Sequence, residues 1–351
     1  MIDENDNYSL HEILSYGCMV NWVISKRSLG KTFAAKEWGI RDFLKTGKEF
    51  VYLRRTEPEL DDKETFFDDL QPAGFFEGYE FKVHGDYGFI RKAGKNGERG
   101  KDNATPWRRC CFFRALTQQQ ARKGGVYASV NKIIFDEFII EDMTHHHYLQ
   151  NEVGQLLGFW KTVDRRRKET RVVMLSNAGF INNPYFTTYG LDVSFFTAKK
   201  SIRRIAKGFI ACEIVPATTE IDETDPFSVL ASYTDYGAYA EGNTFTDNNQ
   251  TFISATPKTA KPQYALKFGR DVFTVLCDVP NLIYHVKKGR HGNIQTFCLT
   301  RSDMCADTFM LEKTSPILKG LKKLLFNGRL MFETPAVRER FYSMLKILGV
   351  N

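Results

Sequence analysis

The stretch from Met19 to Leu44 constrains this chain more than any other. Met19 to Ile24 (MVNWVI) is apolar enough for a buried strand, and Ser25 to Thr32 reads SKRSLGKT. Lys31 to Leu44 then carries Phe33, Ala34, Trp38 and Phe43 at roughly helical spacing. A strand, a basic turn and a helix in that order make a phosphate cradle. Backbone N–H groups at the helix start converge on an anion, and a lysine ammonium adds a full charge. Gly30 lets the main chain approach the phosphates. Lys31 is placed for the β- and γ-phosphates, and the Thr32 hydroxyl for Mg2+. Ser25, Lys26, Arg27, Ser28 and Leu29 complete the loop. Ser25 stands where the usual G-x-x-x-x-G-K-[ST] pattern has its first glycine.

A second element supports the first. Ile133-Ile134-Phe135-Asp136-Glu137 is an apolar strand ending in two carboxylates. Asp136 suits an outer-shell grip on Mg2+, so the expected metal-site residues are Thr32 and Asp136. Glu137, expected on the other face of the strand end, suits a general base that polarises water against the γ-phosphate. Asn177 follows the strand Val172 to Leu175 and sits where an amide can sense that phosphate. No N-K-x-D guanine-reading motif occurs, which favours ATP over GTP. Basic clusters are Lys26-Arg27 within the loop, Arg122-Lys123-Gly124-Gly125, and Arg165-Arg166-Arg167 after a helix. Any of them can supply an arginine or lysine to a phosphoryl group, including one on a neighbouring subunit; an exposed run at a helix end is the alternative.

Strands alternating with helices over the first 200 residues predict an α/β fold with a mainly parallel sheet. Strands are expected over Phe50 to Leu53, Cys110 to Leu116 and Val130 to Phe135. Helices are expected over Glu57 to Leu70 and Leu149 to Val163, and a hairpin over Tyr79 to Arg91. The chain divides into residues 1–207, a connector over 208–260 and a last domain over 261–351. Between Lys207 and Lys258 there is no basic residue and there are eight acids. From Lys258 onward, 16 Lys/Arg face 7 Asp/Glu, a balance of +9 within an overall +7. A basic domain of that kind is the footprint of a polyanion partner. Three strands (Tyr264 to Phe268, Val272 to Cys277, Leu282 to Val286) and two helices (Ile317 to Leu325, Pro335 to Leu348) are expected there.

With 42% hydrophobic residues the chain has ample core material, and no apolar run reaches the ~18 residues of a membrane span. The N-terminus lacks the basic start and apolar block of a signal peptide, so a cytosolic protein is expected. The seven cysteines form no CxxC pair and read as buried free thiols. His145-His146-His147 has no second ligand cluster and reads as a solvated loop.

These parts together resemble the genome-packaging ATPases of phi29-like bacteriophages, relatives of the large terminase motors. The resemblance rests on VISKRSLGKTF, FVYLRRTEPEL, KIIFDEF, NEVGQLL, TVDRRRKETR and LSNAGFINNPYF, in that order, and in the last third on FNGRLMFETPAVRERFY. It implies an ASCE/terminase-like P-loop NTPase domain that uses ATP and Mg2+. It implies a ring of copies, usually a pentamer, docked on the portal of a procapsid in the host bacterial cytoplasm and driving double-stranded DNA inward. A structural RNA at the portal is a further candidate partner; a membrane is not. Carried over by position, Lys31 and Thr32 match the phosphate and Mg2+ residues, Asp136 and Glu137 the Walker B pair. Arg165 looks like the family's trans-acting arginine finger, with Arg167 its competitor. Lys123 falls where the family has another basic residue contributed across the subunit interface.

The resemblance also implies that the α+β carboxy-terminal domain is similar to a degenerate RNase H-type nuclease fold. Asp271, Asp278, Asp303 and Asp307 form no evident cluster of metal ligands, so binding without cutting is expected. Lys287, Lys288, Arg290, Lys322 and Lys323 are the expected DNA contacts, made to the backbone and indifferent to sequence. Rival readings at this level are a terminase with an active nuclease, a helicase-like ring translocase, and a DNA-binding protein that hydrolyses slowly as a switch.

Overall fold

The computed structural model describes residues 8–70, 74–94, 105–118, 126–140, 147–197, 199–216, 226–234, 243, 245, 251–312 and 314–347. The chain separates into two compact units, Met1–Phe245 and Thr246–Asn351.

The first unit is built on a nine-stranded sheet. In chain order its strands are β1 (Val20–Ile24), β2 (Glu49–Arg54), β3 (Tyr79–His84), β4 (Tyr87–Lys92), β5 (Arg108–Ala115), β6 (Val130–Asp136), β7 (Arg171–Ser176), β8 (Ile202–Ile205) and β9 (Ile210–Ile214). They lie side by side as β3-β4-β5-β2-β6-β7-β1-β9-β8. The six strands from β5 to β9 in that row run parallel. The β3–β4 hairpin and β8 close the two edges in the antiparallel sense. Strands buried on both faces need continuous apolar sequence, which is what VYL, IIF and VVML supply.

Helices cover both faces. Helix α2 (Lys31–Thr46), after a short α1 (His11–Ser15), packs against Val23, Tyr52, Phe113, Ile134 and Val173. Gly39 lets it sit close on β2, because a Cβ there would meet the Phe50 ring at 2.9 Å. The alternate side chains, Trp22 and Met174, face α3 (Glu152–Asp164) and α4 (Pro184–Tyr189). There Trp22 makes ring contacts with Phe138, Tyr185, Phe186 and Tyr189. A short α5 (Pro226–Ala231) completes the unit's helices among the described residues.

Two expectations are corrected here. Glu57 to Leu70 is not an α-helix but a chain of tight turns with 3-10 segments at Pro58–Leu60 and Lys63–Thr65. The Glu59 carboxylate accepts from Arg54 Nε, the Arg55 amide and Thr56 Oγ1, which fixes a turn. Phe66, Phe67 and Leu70 are all buried in the unit's core beneath these turns. The connector expected from residue 208 contributes β9 to the sheet, paired with β1 from Val20↔Ile210 to Ile24↔Ile214. The acidic composition downstream masked a five-residue strand.

The second unit has its own core and a six-stranded sheet. Strands β10 (Lys261–Phe268), β11 (Asp271–Asp278) and β12 (Ile283–Lys288) form an antiparallel meander. Strands β13 (Thr296–Cys298) and β14 (Thr308–Met310) extend it in parallel beyond β10, and β15 (Leu330–Phe332) in parallel beyond β12. Helices α6 (Pro316–Phe326) and α7 (Pro335–Ile347) supply Leu318, Leu321, Phe341 and Met344 to that core. The three-residue strands were invisible in sequence because they are too short to show a period. Six cysteines are buried, but Cys305 is exposed, against expectation. No described helix is long and apolar enough to cross a membrane. Lys123, His145 and His146 lie outside the described residues.

One buried ion pair ties the first unit together. Arg55 and Glu152 are 3% and 1% exposed and meet through two N–H···O bonds of 2.9 and 3.2 Å. Glu152 also accepts from Tyr185 Oη and the Leu149 amide. Removing one partner strands the other's charge. Glu152→Gln should therefore lower stability by about 3 kcal/mol in denaturant titration; a loss under ~1 kcal/mol would show that the pair is solvated or replaceable.

Candidate active site at the ends of the parallel strands

Parallel strands bring their carboxyl ends to one edge of the sheet, and ligands of such folds bind there. At that edge a cleft of about 470 Å3 is lined by the loop Arg27 to Gly30, by Lys31, Thr32 and Phe33, and by Asp69, Asp136, Glu137, Ser176 and Asn177. The loop leaves β1 at Ser25 and enters α2 through Gly30, whose φ of 79° is the left-handed conformation that glycine adopts without strain.

The Lys31 ammonium donates to the Ser25 and Lys26 carbonyls (3.2 and 2.8 Å), to Ser25 Oγ (2.9 Å) and to Asn177 Oδ1 (2.8 Å). The departure from glycine at Ser25 thus has a structural consequence. Its buried hydroxyl is one of the acceptors that aim the lysine. Lys26 and Arg27 belong to the same turn, but Lys26 does not line the cleft as Arg27 and Ser28 do.

Asp136 ends β6 on the α2 face, the same side as Ile134. Its carboxylate accepts from Thr32 Oγ1 at 2.9 Å and Tyr52 Oη at 2.8 Å, and its other oxygen accepts from the Glu137 amide at 3.1 Å. Burial, and then the neighbouring Asp136 charge, hold the Tyr52 phenol well above its usual pKa, so it remains a neutral donor. A threonine hydroxyl beside a carboxylate is a hard oxygen pair, which fits Mg2+ chemistry.

Glu137 departs from its expected position. A continued strand would turn it to the face opposite Asp136. Instead its φ of 58° swings the chain so that Glu137 lines the same cleft. Such a conformation in a residue other than glycine is strained and must be held by its surroundings. Arg55 does this, donating Nη1 to the Glu137 carbonyl (3.1 Å) and Nη2 to the Phe138 carbonyl (2.8 Å). Ser176 adds a second tie, exchanging hydrogen bonds with the Ile139 backbone.

The Glu137 carboxylate itself meets Arg54 Nη2 at 2.5 Å. Arg54 ends β2, next to β6, and is held from behind by Glu59 at 3.1 Å. Burial works against its charge, but Tyr52, Glu137 and Asp136 outweigh burial and raise its pKa. Sequence reasoning assigned no role to Tyr52, Arg54, Arg55 or Glu152. The one available signal was an Arg-Arg pair at the end of a core strand, where charges are costly without partners.

Arg165, Arg166 and Arg167 follow α3 and precede β7, so they lie at the opposite edge of the sheet from the cleft. Six strand residues at ~3.3 Å each separate the two edges, about 20 Å. Arg165 and Arg166 are exposed. Arg167 is turned back into its own chain, on the carbonyls of Ala128, Val130 and Val163.

In the second unit, Lys287 pairs with Glu333 at 3.4 Å, Lys288 with Asp271 at 4.0 Å and Arg290 with Asp307 at 3.2 Å. Lys322 and Lys323 are exposed on α6. Asp278 accepts from Thr259 and Asn281, and Asp303 from Thr300 and the Gly269 amide. The four aspartates are thus engaged separately, and no metal-binding group of His, Cys, Asp and Glu occurs among the described residues.

The Tyr52 hydroxyl tests how far Asp136 depends on its buried donors. Tyr52→Phe should lower stability by about 1–2 kcal/mol in denaturant titration, because Asp136 loses a donor where water has poor access. No change would mean that Asp136 is solvated from the cleft.

Against known proteins, the family model described as podovirus DNA encapsidation protein (Gp16) matches residues 2–350. The chain is 31% identical to a DNA packaging protein of Bacillus phage B103, over 97% of this chain and 100% of that one. It is 28% identical to a DNA packaging protein of Bacillus phage phi29 over the full length of both. Among solved structures, a chain of the bacteriophage Phi-29 viral genome packaging motor assembly shares the fold at a TM-score of 0.75 and 24% identity, covering 98% of this chain and 99% of that one. A chain of the Phi-28 gp11 DNA packaging motor does so at 0.65 and 22% identity, covering 99% of each. A match along nearly the whole length, carried by a cleft with the parts just described, means that the chain belongs to the podovirus DNA encapsidation protein (Gp16) family.

Proposed function

We propose that this chain is the ATP-hydrolysing subunit of a motor that drives double-stranded viral DNA into a procapsid. The copies work as a ring, usually a pentamer in the family, docked on the portal in the host cytoplasm. The observation that carries this reading is the convergence of Lys31, Thr32, Asp136, Glu137 and Asn177 on one cleft.

Each residue then has a role. ATP enters with its phosphates on the loop from Ser25 to Gly30. The γ-phosphate takes Lys31 away from the acceptors that now hold it, including Asn177. Thr32 and Asp136 are the residues that would hold Mg2+, which would supply positive charge to offset that of the triphosphate. Glu137 orients the attacking water and accepts its proton. Arg54 restrains that base, because a carboxylate bound to a guanidinium at 2.5 Å is a poor proton acceptor. Turnover therefore requires Arg54 to let go, so the base is released only when the rest of the site is assembled.

Completion of the site falls to a neighbouring copy. Arg165 is about 20 Å from its own cleft along β7, beyond the reach of its side chain, so it acts on the next subunit's phosphates. Lys123 is assigned a similar contribution. The commitment of Arg167 to main-chain carbonyls supports Arg165 over Arg167 as the finger.

The 1–207 region, with β9 added, is the ATPase part. The basic region over 261–351 is the DNA-contacting part, through Lys287, Lys288, Arg290, Lys322 and Lys323. We read that region as a relative of RNase H-type folds without their cutting chemistry. Its meander flanked by parallel strands supports the kinship, and the separately engaged aspartates support the loss.

Steady-state hydrolysis with double-stranded DNA tests the reading. Arg165→Ala should lose about 10³-fold or more in turnover, the scale of an arginine finger. Mixed with Glu137→Gln, which is inactive alone but keeps Arg165, it should regain activity. Normal turnover by Arg165→Ala would overturn the assignment; loss without recovery on mixing would mean that it does not act across an interface.

A further inference from the structure

The loop that presents Arg165 is unusual in its backbone. Arg165, Arg166 and Lys168 have φ of 45°, 70° and 59°, so three non-glycine residues in four adopt the left-handed conformation. Each is strained, and such a run persists only where neighbouring groups over-determine it.

Two side chains do so here. The Asp164 carboxylate accepts from the amides of Lys168 (2.9 Å), Glu169 (3.2 Å) and Thr170 (3.0 Å). Burial opposes its ionisation, but these donors outweigh burial and hold its pKa below the usual range. The Arg167 guanidinium donates to five main-chain carbonyls: Asp164 (3.1 Å) and Val163 (2.8 Å) at the end of α3, and Tyr127 (3.2 Å), Ala128 (2.5 Å) and Val130 (2.5 Å) at the entry to β6. It also pairs with Glu169 at 3.0 Å. An arginine fork with five of its acceptors on main chain fixes backbone against backbone. Here it welds the 165–168 loop to residues 127–130, which lead directly into the strand that carries Asp136 and Glu137.

We propose that Arg167, assisted by Asp164, is a positioning residue for catalysis between copies of this chain. It holds the strained loop so that Arg165 projects at a fixed angle towards the next copy's cleft. It also ties that projection to the strand bearing its own subunit's Asp136 and Glu137. The inference rests on the reading of Arg165 given above. Arg167 never touches the nucleotide; it acts through Arg165. A guanidinium tip displaced by an ångström from a phosphoryl group forfeits much of its effect, so loss of the weld should cost turnover rather than ATP binding. Lysine cannot substitute, since a compact ammonium with three donors does not span five carbonyls.

The test uses the full-length chain with double-stranded DNA. Turnover, KM for ATP and trypsin cleavage within residues 165–168 are measured for Arg165→Ala, Arg167→Ala, Arg167→Lys and the double alanine variant. Arg167→Ala should lower kcat about 10- to 100-fold, with KM changed less than about twofold because the subunit's own phosphate loop is untouched. Arg167→Lys should behave similarly, both should be cleaved faster in the loop, and the double variant should be no slower than Arg165→Ala alone. Wild-type kcat in Arg167→Ala with Arg165→Ala inactive would overturn the positioning role and leave the finger standing. A loss confined to KM or to thermal stability, or a double variant well below Arg165→Ala, would make Arg167 a general structural residue and overturn it as well. Normal turnover by Arg165→Ala would remove the ground for both.

Discussion

The Asp136 carboxylate is the fixed point of this protein. It accepts from Thr32 at the start of α2, from Tyr52 on β2 and from the amide of Glu137, so three separate elements are registered on one anion. It is only 5% exposed. A carboxylate so placed in a low-dielectric site loses much if any donor shifts, and that loss keeps helix, strands and the Glu137 turn in mutual alignment. The parallel sheet makes the arrangement available by ending β1, β2, β6 and β7 at the same edge.

Around that anion the charges are layered. Arg54 holds the Glu137 side chain, whereas Arg55, paired with buried Glu152, donates to the Glu137 carbonyl and holds its backbone. Arg54, the last residue of β2, and Arg55, the next in the chain, thus divide the control of one glutamate. In the first pair the Glu137 carboxylate is exposed, whereas both partners of the Arg55–Glu152 pair are buried. At the far edge Arg167 likewise turns its guanidinium onto main-chain carbonyls, with Glu169 as its ion-pair partner. In both places an arginine that sequence inspection would offer to phosphate is spent on the protein's own backbone.

Much of the site was legible because its chemistry is local in sequence. Lys31 and Thr32 follow from one loop, and Asp136 from one strand end. Their order with Asn177 allowed the cleft to be anticipated from strands and a helix alone. What escaped detection is non-local or depends on a dihedral angle. Arg54 matters because β2 lies beside β6, and the position of Glu137 depends on a φ of 58° that no residue type in FDEF announces. The turns over Pro58 to Leu70 failed as a helix because Glu59 bonds backward to Arg54, Arg55 and Thr56. β9 was missed because five apolar-rich residues preceding an acidic tract carry little period, although pairing with β1 buries them almost completely. In sequence Arg165 stood ahead of its competitor Arg167, and the five main-chain carbonyls that accept from Arg167 weigh in the same direction.

The measurement that bears most directly on this account is the amount of double-stranded DNA protected from DNase inside procapsids carrying a portal, with ATP and either the wild-type chain or Glu137→Gln. The account requires protected DNA to accumulate with the wild type and to fall to background with Glu137→Gln, although that variant still binds ATP. Protection at the wild-type level with Glu137→Gln would contradict it, because DNA entry would then be independent of the hydrolytic site on which the rest of the structure converges.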